Sequence, residues 1–187
     1  ATELEYFLGG RISISSFGDL EFTPFGSHIL PLHLSSSLVK SLSGIVIYFR
    51  HLAKKGDVIM IDEPELNLHP ENQIRLARVL AKIANRGFNL IFSTHSDYIL
   101  KELSNLTILA NDFDGKDALI ERYDYDEKSF LPKDKIKVYA FQNQTIEEVE
   151  ITDEGFDLDK IDEVISDMAQ RSDNIRFSFL ESSAVHE

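Results

Sequence analysis

Val58-Ile59-Met60-Ile61-Asp62-Glu63-Pro64-Glu65-Leu66-Asn67-Leu68-His69-Pro70 is the stretch on which the reading of the chain turns. Four apolar residues predict a short strand that delivers Asp62 and Glu63 to its C-terminal edge, where Pro64 stops it. Two adjacent side chains leaving a strand diverge, so these two acids can serve different partners. Asp62 suits a hard cation such as magnesium, which takes carboxylate and water oxygens together. Glu63, one residue on, points elsewhere and is placed to hold a water. A solvated turn with two carboxylates is the plainer alternative, and the apolar run before the pair and the proline after it weigh against it.

Some thirty residues later a second apolar run, Leu90-Ile91-Phe92, ends in Ser93-Thr94-His95-Ser96. A histidine after a strand is ordinarily a hydrogen-bonded structural residue. Here the spacing from Asp62 and Glu63 brings His95 to the same edge from a neighbouring strand. Between the two runs, Pro70 opens a helix through Ile74, Ala77, Leu80, Ala81 and Ala84 that stops at Gly87.

Upstream, Ser35, Ser36 and Ser37 offer N-caps to a helix carrying Leu38, Leu42, Ile45, Val46, Phe49 and Leu52, with its end near Lys54-Lys55-Gly56. Before it, residues 11–24 alternate about Phe17-Gly18-Asp19 as a β-hairpin does. Downstream, a helix over Asp97 to Leu103 and a strand over Thr107 to Leu109 complete a β-α-β-α-β series. That alternation predicts an α/β fold with parallel core strands, whose ligands gather at the strands' carboxyl ends.

Past Asn111 the pattern changes. Strands are expected at Ala118 to Tyr123, Lys137 to Phe141 and Glu147 to Ile151, then a helix bearing Ile161, Val164, Ile165 and Met168, then an edge strand through Ile175, Phe177 and Phe179. The expected organisation is therefore a lobe over 1–111 and a small α+β C-terminal extension over 112–187. No repeat and no low-complexity segment interrupts it.

The 187 residues suffice for one substantial core. The formal charge is -13, and from 147 onward thirteen acids stand against Lys160, Arg171 and Arg176. Such a tail repels phosphate backbones and is no nucleic-acid surface; a solvated acidic face is its simplest reading, a site for a basic partner the other. With no cysteine, disulfides, thiolate ligands and cysteine nucleophiles are all excluded. No apolar run reaches the length of a membrane span and no basic leader precedes one, so a cytoplasmic protein without membrane partners is expected.

The two strand-end segments together resemble the Walker B and histidine-switch motifs of ABC-type ATPases, in the branch that includes SMC-like and OLD-like proteins and a group of bacterial AAA-type ATPases. The resemblance is specific over residues 33 to 103. It implies the C-terminal half of a P-loop NTPase that uses ATP and magnesium. Asp62 would hold the metal, Glu63 would act on the attacking water, and His95 would contact the γ-phosphate. Ser35, Ser36 and Ser37 lie where that family carries the signature motif that reaches a dimer partner's ATP, although Leu34-Ser35-Ser36-Ser37 lacks its glycine pair. His69 falls where the family has its D-loop, with a packing role the equal alternative. His28, His33, His51 and His186 show no metal-ligand spacing.

No glycine leads into a Lys-Ser or Lys-Thr pair, the form a phosphate-cradling loop requires. Gly115-Lys116-Asp117 comes nearest, with an aspartate where the hydroxyl residue belongs. The expectation is that an N-terminal lobe carrying the phosphate loop is missing from this chain, and Ala1 in place of a methionine fits a truncated or processed start. Hydrolysis would then need that lobe and a head-to-tail homodimer, the isolated chain being inactive, and the resemblance implies work in phage defence beside a partner nuclease. Two competitors are an interaction module that docks a nuclease or a second copy without turning over ATP, and a metal-dependent nuclease using Asp62, Glu63, His69 and His95 as ligands.

Overall fold

A computed structural model of the chain describes residues 2–142, 144–157, 170, 171 and 175. The chain divides into two compact units, residues 1–136 and 137–187. In the first, helix α1 (Thr2–Leu8) leads into the hairpin of β1 (Gly10–Ile14) and β2 (Leu20–Pro24), which a two-residue strand β3 (Leu30–Pro31) extends. Ile12 pairs with Phe22 across the hairpin, and both are buried, while Ile14 near the turn is exposed. Gly10 is required by close approach: a Cβ there would stand 2.5 Å from the Thr23 carbonyl oxygen and 2.6 Å from the Phe22 ring.

Helix α2 (Ser37–His51) follows a single 3-10 turn over Leu32–Leu34. Its apolar stripe buries Val39, Leu42 and Val46, the 3.6-residue period that the sequence shows. Arg50 in its last turn joins the Glu5 carboxylate and the Ile12 carbonyl, tying α1, β1 and α2 together. Tyr48 donates to Asp57, which also accepts from the Lys54 amide. Those bonds hold the Asp57 carboxyl below its ordinary range and push the Tyr48 phenol up.

Strands β4 (Val58–Ile61) and β5 (Asn89–Phe92) pair in parallel, Val58 against Asn89 through Ile61 against Phe92. Helix α3 (Pro70–Asn85) makes the crossover, with proline at its first position and Gly87 at φ 92 just beyond its end. It buries Leu76, Ala77, Val79, Leu80, Ala81 and Ile83, and packs on α1 and on α4 (Asp97–Ile108). Alternate residues of the strand pair face opposite ways. Val58, Met60 and Ile91 share the outer face and are 61%, 77% and 53% exposed, so that face is bare.

Two expected strands are helices. Thr107 to Leu109 finishes α4, because Leu106 and Thr107 lie on its buried side and the Thr107 hydroxyl bonds back to the Leu103 carbonyl at 3.0 Å. Burial of Leu106 and Thr107, rather than local propensity, keeps the segment helical, and the bond satisfies the buried hydroxyl. Ala118 to Tyr123 belongs to α5 (Lys116–Tyr123), bracketed by Gly115 at φ 85 and Asp124 at φ 52. No residue of α5 is buried, so neither periodicity is written into its sequence. Among the described residues the parallel series is therefore two strands and their crossover, and α1 adds a helix that the sequence reading lacked.

The second unit contains the antiparallel pair β6 (Val138–Gln142) and β7 (Thr145–Val149), then the short pair β8 (Ile151–Thr152) and β9 (Gly155–Phe156). Glu148 bonds Lys137 at 2.6 Å, which raises the lysine's pKa. The expected helix over Ile161 to Met168 and the edge strand over 175–179 lie outside the described residues, Ile175 apart.

Candidate functional site

The site stands where β4 and β5 end. The strand pairing continues one step past them through the Ser93 amide, which donates to the Ile61 carbonyl at 3.2 Å. At that level the Ser93 hydroxyl donates to Asp62 Oδ1 at 2.5 Å and accepts from the Glu63 amide at 3.0 Å. One hydroxyl thus holds both acidic residues in place. Asp62 keeps its second carboxylate oxygen for another partner.

Glu63 has φ 42, in the left-handed region that a side chain with a Cβ seldom adopts. This turns its carboxylate away from Asp62 and toward the β5 loop. His95 Nε2 lies 3.5 Å from Glu63 Oε1. The His95 side chain is 88% exposed and that of Glu63 36%, so both reach solvent at the sheet's edge.

Beneath them the two loops are laced together. Pro64 and Glu65 are buried. Glu65 Oε1 accepts from the Thr94 hydroxyl at 2.6 Å and from the His95 amide at 3.0 Å. The Ser96 amide donates to Thr94 Oγ1 at 3.0 Å, and the Ser96 hydroxyl donates to Gln73 Oε1 at 2.5 Å. Gln73 in turn gives Nε2 to the Leu68 carbonyl at 2.8 Å. Ser96 also caps α4, accepting from the Ile99 amide at 3.1 Å. The residues on either side of the histidine are fixed, while its ring is free.

Asp62, Glu63 and His95 stand at one edge, Glu63 and His95 3.5 Å apart and Asp62 joined to Glu63 through Ser93. The three serines are not in that group. Ser35 donates to the Leu32 carbonyl at 2.6 Å and Ser36 caps α2 by accepting from the Val39 amide at 3.4 Å. Ser37 donates to the Asn67 carbonyl at 3.5 Å, which sets the start of α2 beside the loop that follows the two acids. Ser36 and Ser37 are exposed. His69 occupies the N-cap position of α3 without a side-chain capping bond. No group of three or more histidine or acidic side chains close enough to hold a metal occurs among the described residues, so Asp62, Glu63, His69 and His95 are not a ligand cage.

Ser93, Thr94, Glu65, Gln73 and Ser96, which sequence reasoning did not single out, are the residues whose hydrogen bonds join the two loops. Each is a common polar type that bonds across a long stretch of chain, 29 to 31 residues for Ser93, Thr94 and Glu65 and 23 for Ser96 with Gln73. For Ser93, Thr94, Ser96 and Glu65 the one signal was their place inside the two strand-end segments; Gln73, on α3, carried none.

The sequence model of a family described as AAA ATPase domain matches residues 2–100. An OLD nuclease of Thermus scotoductus is 38% identical over 68 residues, covering 36% of this chain and 12% of its own length. FtsE, a cell division ATP-binding protein of Bacillus subtilis, is 30% identical over 63 residues, 34% of this chain and 28% of its own length. The matches thus span about an eighth of one relative and rather more than a quarter of the other. A solved structure from work on ATP-driven dimerization and DNA-stimulated activation of SMC ATPases superposes with TM-score 0.48 at 17% identity, over 88% of this chain and 89% of that one. No helix among the described residues is long and apolar enough to cross a membrane.

Proposed function

The chain belongs to the AAA ATPase domain family, and from that premise we propose that it supplies the water-activating half of an ATP hydrolysis site. The observation that carries this reading is the meeting of Asp62, Glu63 and His95 at the carboxyl ends of two parallel strands, with 3.5 Å between His95 and Glu63. A cation bound with nucleotide would neutralise charge on the phosphate oxygens. Asp62 fits magnesium as its one protein carboxylate, since that ion keeps waters and phosphate oxygens for its other positions.

Glu63 takes a hydrogen bond from the attacking water and orients it. His95 stands beside it as a mobile donor toward the γ-phosphate, where positioning and charge stabilisation do the catalytic work. The phosphate loop comes from a lobe outside these residues. Two facts favour this: no Gly-rich loop leads into Lys-Ser or Lys-Thr, and the outer face of β4 and β5 is apolar and bare, whereas parallel sheets are ordinarily covered on both sides. The isolated chain is accordingly inactive.

We assign the α2 N-terminus to a second copy's nucleotide in a head-to-tail dimer. Ser35 and Ser37 spend their hydroxyl protons locally, so Ser36, which only accepts within its own cap, is the serine whose O–H reaches an anion there. Residues 1–111 carry this chemistry, an assignment favoured by a family match that ends at residue 100, and 112–187 are an extension whose first part, to residue 136, belongs to the same compact unit. Work in the cytoplasm, in phage defence and beside a nuclease, belongs to the same proposal.

The test is phosphate release by the ATPase assembled from this chain and its phosphate-loop lobe. Glu63→Gln is expected to lower turnover by about 10²- to 10⁴-fold and to leave ATP bound in a persistent dimer. Unchanged turnover would sink the reading. Unchanged partner binding with no effect of nucleotide would favour the docking module instead. For the chain alone, calorimetric titration with Mg-ATP is expected to show no binding at millimolar nucleotide.

A further inference from the structure

We infer that Glu65, which no part of the proposed chemistry uses, is the positioning residue for His95. The inference deepens the ATPase reading and rests on it for its kinetic consequence, though not for its geometry. Glu65 is 7% exposed, and one of its oxygens takes both the Thr94 hydroxyl and the His95 amide. It therefore grips the histidine's own backbone and the residue before it. Thr94 Oγ1, once its proton is committed to Glu65, is left as the acceptor for the Ser96 amide, and Ser96 is locked to Gln73 of α3. Every fixed point of the 93–96 loop on the acidic side runs through Ser93 or Glu65.

The ring is the opposite case. Its side chain is mostly in solvent and its named neighbour is Glu63 at 3.5 Å. The ring turns about χ1 and χ2, so the direction in which the backbone is held sets where the circle it sweeps is centred and whether Nε2 on it can meet Glu63. The Glu65 oxygen that fixes that direction sits two residues from Glu63 on the same turn, whose backbone is closed by the Leu66 amide to the Glu63 carbonyl at 3.0 Å. Base and histidine are thus indexed to one short segment rather than to each other.

Among the described residues, Glu65 Oε2 is buried with no hydrogen-bond partner. A carboxylate kept only for packing would lose nothing by having that oxygen satisfied, and burying an unsatisfied acceptor is costly. The grip lies in Oε1 alone. It follows that a glutamine, which keeps one carbonyl oxygen in the same place, preserves the function while an alanine does not.

Hydrogen exchange of the His95 amide in this chain, read by NMR, tests the geometry without nucleotide. Glu65→Ala is expected to speed that exchange about tenfold or more, and Glu65→Gln to bring it back to within about threefold of the parent. Unchanged exchange in the alanine variant, or failure of glutamine to restore it, would overturn the inference. Should the alanine variant not fold, Glu65→Gln carries the test by itself: the weaker acceptor moves the His95 amide proton upfield with distant amides unmoved, and an unmoved resonance overturns the inference. In the assembled ATPase, Glu65→Ala is expected to lower kcat about tenfold or more with KM for Mg-ATP unchanged, and Glu65→Gln to recover most of it. A shifted amide with undiminished kcat would leave the positioning standing and remove His95 from the proposed chemistry, so the two readings fail separately.

Discussion

Two buried glutamates of the first unit sit in similar solvent exclusion and are treated differently by the fold. Glu102, 5% exposed on α4, has both oxygens engaged: Arg78 Nε at 2.5 Å on one, the Tyr125 hydroxyl at 3.3 Å and Asn105 Nδ2 at 3.5 Å on the other. Arg78 also stacks over the Tyr125 ring at 4.2 Å and reaches the Asp124 carbonyl at 3.1 Å. Glu65, 7% exposed, has one oxygen doubly bonded and the other without a partner among the described residues. A closed network of charges fastens α3, α4 and the residues after α5 together. The half-closed one lies at the strand ends, where the loops it joins carry Glu63 and His95. The closed network fits a fastening, and the half-closed one stands where the two loops of the proposed site are joined.

That contrast is sharpest under removal. Glu102→Ala leaves Arg78 without its carboxylate and is expected to cost about 3 kcal/mol in urea unfolding. A loss under about 1 kcal/mol would mean that the closed network is not a fastening. Glu102→Gln, which keeps shape and drops charge, is expected to cost about 2 kcal/mol, whereas Glu65→Gln changes unfolding by about 0.5 kcal/mol or less. Equal losses at the two positions would erase the distinction. Ser93→Ala frees the Asp62 carboxylate and the Glu63 amide together, so hydrolysis by the assembled ATPase is expected to fall about tenfold with little change in melting.

The smallest effect is in pH. Burial and then the Glu102 charge push the Tyr125 phenol above its ordinary value. A raised folded-state pKa contributes stability that is fully present below the unfolded value, about 10, and is lost as pH rises through the folded one. The melting temperature should therefore decline in alkali, and Tyr125→Phe should flatten that decline. Asp126 behaves in the opposite sense: Lys82, bonded to it at 2.8 Å, holds its carboxyl low. Its contribution is present above the ordinary carboxylate value and lost as pH falls through the lowered one. An acid transition unaltered by Asp126→Asn would remove this pair from the account.

What was legible in the sequence follows the same division between packing and hydrogen bonding. The hairpin, α2 and α3 bury one side, and their apolar periods announce it: Ile12 against Phe22, Val39 to Val46, Leu76 to Ile83, whereas β4 and β5 were legible as short unbroken apolar runs whose inner residues are half-buried. Thr107 misled because β-branched residues favour strands in isolation, and the bond from its hydroxyl to Leu103 exists only in the helix. Leu119 and Ile120 misled because α5 buries nothing. Asp62, Glu63 and His95 could be picked out as acids and a base at strand ends. Glu65 and Ser93 could not, since a glutamate after a proline and a serine after a strand are ordinary surface residues until folding puts thirty residues of separation within 3 Å.

Glu63 at φ 42 carries one last consequence. Asn67, at φ 64 in the same loop, is a residue that accepts this conformation readily; a glutamate does so at a cost of about 1 kcal/mol or more. Glycine would relieve that cost and in the same step delete the carboxylate. A screen for heat tolerance alone would therefore reward the loss of the residue on which turnover is proposed to depend, so the hardiest variant at this position and the inert one are the same molecule.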